Sequence, residues 1–419
     1  MLPSSSYPRV QLHSRFAYYP RIAWEFLTGR WKRDDAVERL EREIETRVET
    51  PHAIAMPMAR TAIYFAVKSL IKNGDKVVLS PYTIADVVNM VICAGGVPVF
   101  ADLLPGGCNV AASEIEKLVD DETGAVLVTH FYGEACEIEQ IAAFCQRRNL
   151  PLIEDAAMAF GVKVNGRQLG TFGDAGIFSF GMYKNVNSYY GGMLITKRGD
   201  VAAKVRQAIK DLPLETPKRY LPKVLQGLII DVLTWSPIFR AFTFWLFRWA
   251  YLKDVKPITH QFKIDTDPKI KREMPEDYLH RMSPLQARLI LSQLSGVDAG
   301  IQARARHASR YFQGLKDLKE ITLPPLKTDG SHGYYYFCIH YPRREELVRY
   351  AQQHGRDIQE SYHRNCSALA CFGNYQRHCP NAVTSANSVI YLPTHPSYPS
   401  REVDRTVAVI RQFFAEHHT

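Results

Sequence analysis

Several features that define common protein classes are missing from this 419-residue chain. Its eight cysteines include no CxxC pair, which argues against a structural zinc site and a disulfide scaffold. No run of lysines or arginines marks a nucleic-acid tail, and no repeat or low-complexity tract is present. The first 16 residues lack the apolar core of a signal peptide. We therefore expect a cytoplasmic globular protein with reduced thiols, no metal site and no nucleic-acid partner.

The chain does contain enough apolar sequence for a large core. Hydrophobic residues make up 46% of it and charged residues 23%, which is ordinary for a folded protein. Its length suggests two or three domains. The 52 basic and 43 acidic side chains leave a net charge of +9. This mild excess favours anionic partners such as phosphate esters or an anionic lipid surface.

Short apolar runs alternate with helical stretches over the first half of the chain. The apolar runs lie at 77–82, 97–103, 125–133, 150–157, 176–181 and 191–199, and the helical stretches at 36–50, 85–95, 113–119 and 137–149. This alternation predicts a mainly parallel sheet covered on both faces. Ligands bind at the carboxyl ends of such strands, so chemistry is sought there. A long helix-like stretch from about 284, followed by strand–helix–strand patterns, predicts a smaller C-terminal α/β domain.

Three side chains that can take part in catalysis lie at or shortly after the ends of predicted strands. Asp155 ends one apolar run, Ser179 ends another, and Lys184 follows five residues later, before a Gly191-Gly192 pair. A carboxylate at the end of an apolar strand needs a partner. An acid, a hydroxyl and a lysine are the groups that pyridoxal phosphate chemistry requires: the lysine forms the Schiff base, the carboxylate holds the pyridine nitrogen protonated, and the hydroxyl with backbone amides binds the phosphate.

The order of several short motifs resembles the DegT/DnrJ/EryC1/StrS family of sugar aminotransferases. The family-like runs are SPYT at 80–83, AGGVPVFADL at 94–103, THFYGE at 129–134, EDAA at 154–157, GDAGIFSF at 173–180, GGMLIT at 191–196, HRMSPLQA at 280–287 and YLPTHP at 391–396. The resemblance implies fold type I with pyridoxal 5′-phosphate as the cofactor. It also implies that Lys184 forms the Schiff base, that Asp155 pairs with the pyridine nitrogen and that Ser179 binds the phosphate.

Four positions depart from the family pattern. Arg60 stands where the family has glycine in its small-Gly-Thr phosphate motif, although Thr61 and the amide of Ala62 remain for the phosphate. Ile84 replaces the aromatic residue that stacks on the cofactor ring, and Met158 replaces a glutamine or histidine that bonds the phenolic oxygen. Leu279 replaces an asparagine that reaches a neighbouring subunit's phosphate. We expect cofactor chemistry to be kept in altered surroundings.

Histidines and tyrosines near the predicted site have plainer interpretations. His130 ends a strand, and the sequence is equally consistent with a packing role and with a substrate contact. His395 lies in a family-like turn and is expected to be structural. The three tyrosines at 334–336 are expected to alternate across a strand.

An apolar insert interrupts the family-like sequence. The segment from Trp235 to Tyr251 holds eight aromatic residues in 17. Asp231, Pro237, Arg240 and Arg248 interrupt the longer apolar stretch 224–252, so a clean membrane span is not expected. Aromatic and basic residues mixed in this way suit a membrane interface, and residues 15–33 have the same character. Two alternatives follow. Segment 224–252 contacts lipid or an apolar substrate, or both segments pack inside the protein or across a dimer interface.

These observations lead to one predicted organisation and function. We expect an aromatic and basic arm at 1–35, a large cofactor-binding domain at 36–210, the insert at 211–275, and a long helix with a small domain at 276–419. The expected activity is transfer of an amino group from an amino acid such as glutamate to a nucleotide-linked keto sugar, in a homodimer. The alternatives are a lipid-linked or hydrophobic ketone as acceptor at the inner face of the membrane, and a cofactor-binding regulatory protein without turnover.

Overall fold

The computed structural model describes residues 6–12, 16–255 and 267–417. The strands are β1 (His52–Met56), β2 (Lys76–Leu79), β3 (Tyr82–Thr83), β4 (Val97–Phe100), β5 (Thr123–Thr129), β6 (Leu152–Asp155), β7 (Lys163–Val164), β8 (Arg167–Gln168), β9 (Ala175–Ser179), β10 (Gly192–Thr196), β11 (Phe337–His340), β12 (Gln359–Glu360), β13 (Arg364–Asn365) and β14 (Val389–Leu392).

The helices connect and cover these strands. They are α1 (Tyr18–Leu27), α2 (Ala36–Val48), α3 (Ala59–Leu70), α4 (Ala85–Cys93), α5 (Ala112–Leu118), α6 (Ile138–Arg147), α7 (Gly199–Ile209), α8 (Pro217–Thr234), α9 (Ser236–Leu252), α10 (Pro284–Leu291), α11 (Val297–Leu315), α12 (Arg344–Gln353), α13 (Pro380–Ser388) and α14 (Ser400–His417). The middle turn of α9, Phe239–Thr243, is π-helical. A 3₁₀ turn at Leu294–Gly296 divides the long helix expected from residue 284 into α10 and α11.

A seven-stranded sheet in the order β1-β10-β9-β6-β5-β2-β4 forms the centre of the large domain. Strand β10 is antiparallel to both neighbours, and the other pairs are parallel. Leu152 and Ile153 point into separate apolar clusters on the two faces because successive residues of a strand alternate. The prediction of a mainly parallel sheet buried on both faces is therefore confirmed.

Helix α2 illustrates how the sequence pattern places a helix on this sheet. Its buried residues are spaced by four and form one apolar face. On the same helix Glu41 and Glu45 accept hydrogen bonds from the amides of Ala55 (2.8 Å) and Ala53 (3.0 Å). The edge of β1 is thus covered rather than left open for pairing with another chain.

The C-terminal part of the chain has its own core. Strands β11, β14 and β12 form a three-stranded antiparallel sheet. Buried residues of α11, α12 and α14 pack with it in one apolar cluster, which includes Tyr311, Leu347 and Phe413. The expected small α/β domain is present, although the exact domain limits stay a prediction.

The N-terminal arm and the insert pack against each other and against the small domain. Helix α1 contacts α8, and the Tyr19 hydroxyl donates to Asp231 at 2.5 Å. Helix α9 lies on α12, where Arg248 Nε donates to the carbonyl of Gln352 at 2.9 Å. Of the insert's rings, Phe239 and Phe244 are buried, whereas Trp235, Phe242 and Trp249 are at least half exposed.

Neither interpretation of the insert accounts for all of its rings. Internal packing takes some of them and leaves others at the surface. Within the described ranges, no single helix has the length and apolar character to cross a membrane. Helices α8 and α9 reach that length and composition only when taken together, and they are bent by 58° relative to each other.

Candidate active site

Two neighbouring parallel strands bring the predicted acid and hydroxyl to the same edge of the sheet. Asp155 is the last residue of β6 and Ser179 the last residue of β9, and the two strands are paired in parallel. Lys184 lies in the loop between β9 and β10, where its amide donates to the carbonyl of Gly181 at 2.9 Å. The parallel pairing therefore brings together two residues that are 24 positions apart in the sequence.

The amino end of α3 reaches this edge through Gly192. Met56 pairs with Gly192 on β10, and Gly192 pairs with Ser179 on β9. A Cβ atom on Gly192 would lie 2.5 Å from the carbonyl carbon of Met58, which caps α3. Only glycine permits this approach, so the Gly191-Gly192 pair sets the first turn of α3 beside Ser179.

The Asp155 carboxyl lies in a setting that disfavours its charge. The residue is 5% exposed, and burial raises the pKa of the carboxyl above its ordinary value. The amide of Ala157 donates to Oδ1 at 3.0 Å, and this bond and the charge of Lys184 both lower the pKa against the effect of burial. A cationic partner at this position would complete the charge balance.

Lys184 has an amine that is easier to deprotonate than an ordinary lysine. Burial lowers its pKa to about 8, Asp155 opposes the shift, and the charge of Arg60 adds to it. Its Nζ lies 5.5 Å from the centre of the Tyr335 ring. A neutral amine is the nucleophilic form of lysine, so this environment suits covalent attachment to a carbonyl group.

Both donors predicted in the first turn of α3, the Thr61 hydroxyl and the Ala62 amide, already donate within the protein. Thr61 is buried, and its hydroxyl donates to the carbonyl of Tyr278 at 3.0 Å. The amide of Ala62 donates within the helix to Met58 O at 3.3 Å, so the amides of the first turn that precede it are the ones oriented toward an incoming ligand. Together with the Ser179 hydroxyl, this helix end could hold a phosphate.

The two remaining predicted residues line the same region as partly buried apolar side chains. Ile84 precedes α4 and borders a small cavity with Tyr362 and His363. Met158 follows β6 and packs against the same apolar cluster as Ile84. Neither side chain offers an oxygen or nitrogen, so any contact with a bound ring would be a van der Waals contact.

These residues fit pyridoxal 5′-phosphate. The buried carboxylate suits a protonated pyridine nitrogen, the amine of Lys184 suits the aldehyde, and the glycine-opened helix end with Ser179 suits the phosphate.

Sequence reasoning missed several residues that surround Lys184. The three tyrosines at 334–336 precede β11 instead of alternating along it, so that expectation was wrong. Tyr335 instead faces Lys184, and its hydroxyl donates to the carbonyl of Tyr183. A positive φ of 43° at Tyr334 turns the chain into this arrangement. No local pattern signalled it.

A buried cluster of hydroxyl and imidazole groups also went unpredicted. Tyr132 and Tyr391 hydroxyls lie 2.8 Å apart, and each is within 3.0 Å of His363 Nδ1. Burial and the charge of Lys184 lower the pKa of His363 to about 3, so it is neutral. The cluster joins the large and small domains next to the candidate site.

His130 and His395, the two histidines singled out in the sequence, have structural roles. His130 is fully buried, with Nε2 3.0 Å from Glu154 and Nδ1 accepting the amide of Cys136 at 3.4 Å. Both ring nitrogens are thus engaged in packing. His395 is buried, with Nε2 2.9 Å from the carbonyl of Pro8, as expected for a structural residue.

A solved structure shares this architecture. The aminotransferase TlmJ from Streptoalloteichus hindustanus superposes with a TM-score of 0.75 at 21% identity, covering 98% of this chain and all of that one. The likeness identifies the fold as that of aminotransferases with a large sheet domain and a smaller C-terminal domain.

The sequence assigns the family. This chain belongs to the DegT/DnrJ/EryC1/StrS aminotransferase family, which it matches over residues 21–220 and 260–411. Aminotransferases of this family generally depend on pyridoxal 5′-phosphate. The gap in the match covers most of α8 and all of α9, which are the helices of the insert.

Two curated relatives have full-length similarity. The UDP-N-acetyl-3-dehydro-alpha-D-glucosamine 3-aminotransferase of Acidithiobacillus ferrooxidans is 26% identical, covering 98% of this chain and 99% of its own. A pleiotropic regulatory protein of Geobacillus stearothermophilus is also 26% identical, covering 91% and 90%.

Proposed function

We propose that this aminotransferase carries pyridoxal 5′-phosphate on Lys184 and transfers an amino group from glutamate or another amino acid to a nucleotide-linked keto sugar. The observation that carries the proposal is the convergence of Asp155, Ser179 and Lys184 at one edge of the sheet. When bound, the cofactor supplies the electron sink that amino transfer requires.

Each predicted site residue has a separate role toward the cofactor. Asp155 holds the proton on the pyridine nitrogen, which keeps the ring electron-poor. Lys184 binds the cofactor covalently and moves a proton at the reacting carbon, a role suited to an amine whose pKa is about 8. Ser179 and the first turn of α3 hold the phosphate, and Ile84 and Met158 pack against the ring.

The acceptor class is proposed from similarity and charge. The name of the Acidithiobacillus relative specifies a UDP-linked 3-dehydro sugar, and that relative matches this chain over nearly its whole length. The net charge of +9 favours an anionic acceptor of this kind.

The experiment that tests this function uses two half-reactions. Purified protein reconstituted with the cofactor is mixed with glutamate, and 2-oxoglutarate is quantified per protomer. UDP-, dTDP- and GDP-linked keto sugars are then offered as acceptors. One equivalent of 2-oxoglutarate followed by regeneration with a sugar supports the proposal. A protein that binds cofactor yet releases no 2-oxoglutarate from any amino acid overturns it in favour of a regulatory role, which the name of the Geobacillus relative makes the natural rival.

We propose in addition that the arm and the insert rest on an anionic membrane surface, where a lipid-linked ketone would be the alternative acceptor. The exposed apolar residues on α8 are spaced by three or four and form one stripe: Leu221, Leu225, Ile229 and Val232. Phe242, Leu246 and Trp249 on α9 and Trp24 and Leu27 on α1 extend the exposed apolar surface. We call this set the apolar face.

The charge of helices α1, α8 and α9 favours an anionic lipid surface over a protein partner. The helices α1, α8 and α9 contain six basic residues, namely Arg21, Lys218, Arg219, Lys223, Arg240 and Arg248. Their two acids, Glu25 and Asp231, are buried and bonded to Arg288 and Tyr19. The surface of these helices is therefore basic and aromatic, which matches anionic headgroups above an apolar layer.

Vesicle flotation tests this contact. Wild-type protein should float with phosphatidylglycerol vesicles and less so as salt increases, because salt screens the charges. A Phe242→Ser, Leu246→Ser, Trp249→Ser variant should stay in solution, whereas Val383→Ser, which changes an exposed apolar residue away from the face, should float. Failure of the wild type to float, together with dissociation of the triple variant from a dimer in sedimentation, would assign the face to the homodimer interface instead.

A further inference from the structure

The departure at Arg60 has a defined structural setting. Its guanidinium lies 2.9 Å from Asp86 Oδ2 and 2.9 Å from the Tyr278 hydroxyl, and 5.6 Å from the centre of that ring. Lys271 Nζ lies 2.5 Å from the other oxygen of Asp86. One carboxylate therefore serves two cations, and the Tyr278 hydroxyl also donates to it at 2.9 Å.

The cluster carries a net positive charge next to the phosphate site. Burial raises the pKa of Asp86, but Arg60 and Lys271 outweigh it and hold the pKa below its ordinary value, so the carboxylate is ionised. Two cations and one anion leave a charge of +1. Arg60 directly precedes Thr61 in the first turn of α3, and Tyr278 contacts both residues, through its hydroxyl and its backbone carbonyl respectively.

The charge of Arg60 also acts on Lys184. Its charge is one of the effects that lower the pKa of that lysine, which places the guanidinium within electrostatic reach of the amine. The side chain keeps 39% of its surface exposed although it is paired with Asp86, which is almost fully buried. Asp86 and Tyr278 thus fix the Nη1 end of the guanidinium, while part of the side-chain surface stays accessible to a ligand.

We propose that Arg60 is a cationic ligand of the cofactor's phosphate, positioned by Asp86 and Tyr278; this rests on the proposed cofactor. The family pattern has glycine at this position and a polar residue where this chain has Leu279. This chain thus has a cation in the first turn of α3 where the family pattern has no side chain. A guanidinium binds a phosphate dianion through paired, charge-assisted hydrogen bonds.

The test compares two probes that differ only in the phosphate. Apoprotein is titrated with pyridoxal 5′-phosphate and with pyridoxal, and binding is followed by absorbance. At pH 10, where the Lys184 amine is largely neutral with or without Arg60, the affinity of Arg60→Ala for pyridoxal 5′-phosphate should fall about tenfold to a hundredfold, and the affinity for pyridoxal should stay within about twofold. Arg60→Lys, which keeps the charge without the fork, should fall between wild type and Arg60→Ala.

Two further variants make the result specific. Arg219→Ala removes an arginine that is 37% exposed and pairs with Asp277 at 3.9 Å, and it should leave both affinities unchanged. Asp86→Asn should weaken only the binding of pyridoxal 5′-phosphate, because it loosens the position of Arg60. Equal losses for both probes in Arg60→Ala, or no loss, overturn the inference. If wild-type protein attaches neither probe covalently, the proposed function itself fails.

Discussion

The edge of the central sheet and the apolar face are organised by different rules. At the sheet edge, Asp155, Ser179 and Gly192 are fixed by strand register, and a shift of one residue would turn the side chains of Asp155 and Ser179 to the opposite face. On the apolar face, composition and helical spacing matter more than any single position. The family match covers the first region and omits most of the second. Chemistry therefore depends on backbone geometry here, whereas surface contact depends on the kind of side chain exposed.

The largest expected effect is at Lys184. Lys184→Ala should abolish covalent cofactor attachment and turnover, because no other described lysine is placed beside Asp155. Lys223→Ala is the matched control, since its Nζ also lies 5.5 Å from a tyrosine ring, that of Tyr190. Borohydride reduction followed by peptide mass spectrometry locates the modified lysine. Modification of a different lysine in the Lys184→Ala protein would contradict the assignment.

Two substitutions in α9 compare a buried ring of the insert with an exposed one. Phe244 is 1% exposed and packs against Phe239, so Phe244→Ala should lower the free energy of unfolding by about 3–5 kcal/mol. Phe242 is 62% exposed, and Phe242→Ala should change it by no more than about 0.5 kcal/mol. Denaturant midpoints measure both. Comparable losses would show that a partner chain covers Phe242.

Asp155→Asn should slow turnover by at least about a hundredfold while leaving the fold intact. The amide keeps the shape of the carboxylate but loses the charge that stabilises a protonated ring nitrogen. Asp102→Asn is the control, because Asp102 is equally buried at 5% exposure and only accepts amides at the start of α13. It should cost stability and spare the half-reaction with glutamate. Near-normal turnover in Asp155→Asn would remove this residue from the chemistry.

The lowered pKa of Lys184 predicts a moderate pH effect on cofactor attachment. The neutral amine reacts, and its fraction should rise from about 1% at pH 6 to about half at pH 8, so the attachment rate should increase about fiftyfold. Stopped-flow absorbance of apoprotein mixed with cofactor measures it. In Arg60→Ala the midpoint should move upward, since Arg60 helps to lower this pKa. A rate that climbs steadily to pH 10 would indicate an ordinary lysine.

Much of the large domain was predictable because its patterns are local. The apolar run at 150–157 became β6 (Leu152–Asp155), and the helical stretch at 137–149 became α6 (Ile138–Arg147). Asp155 and Ser179 were placed at strand ends by the same pattern. The break between α10 and α11 was missed because the apolar spacing continues through the 3₁₀ turn.

The residues around Lys184 could not be predicted in this way. Tyr335 and His363 come from segments more than 150 residues further along the chain, and contacts between the two domains bring them to the site. Arg60 was visible as a departure, but its partners were not. Asp86 is 26 residues away and Lys271 is 211 residues away in the sequence.

By itself the sequence determined the mainly parallel sheet, the family and the identity of the groups at the strand ends, since these follow from local periodicity and ordered motifs. Only the tertiary structure decided which aromatic rings of the insert are buried and which are exposed. Aromatic residues lie on all sides of its helices, and the neighbouring helices cover only some of them. It also decided that Arg60 shares Asp86 with Lys271 beside α3. Long-range pairing of charges depends on how distant segments meet, and no local pattern encodes it.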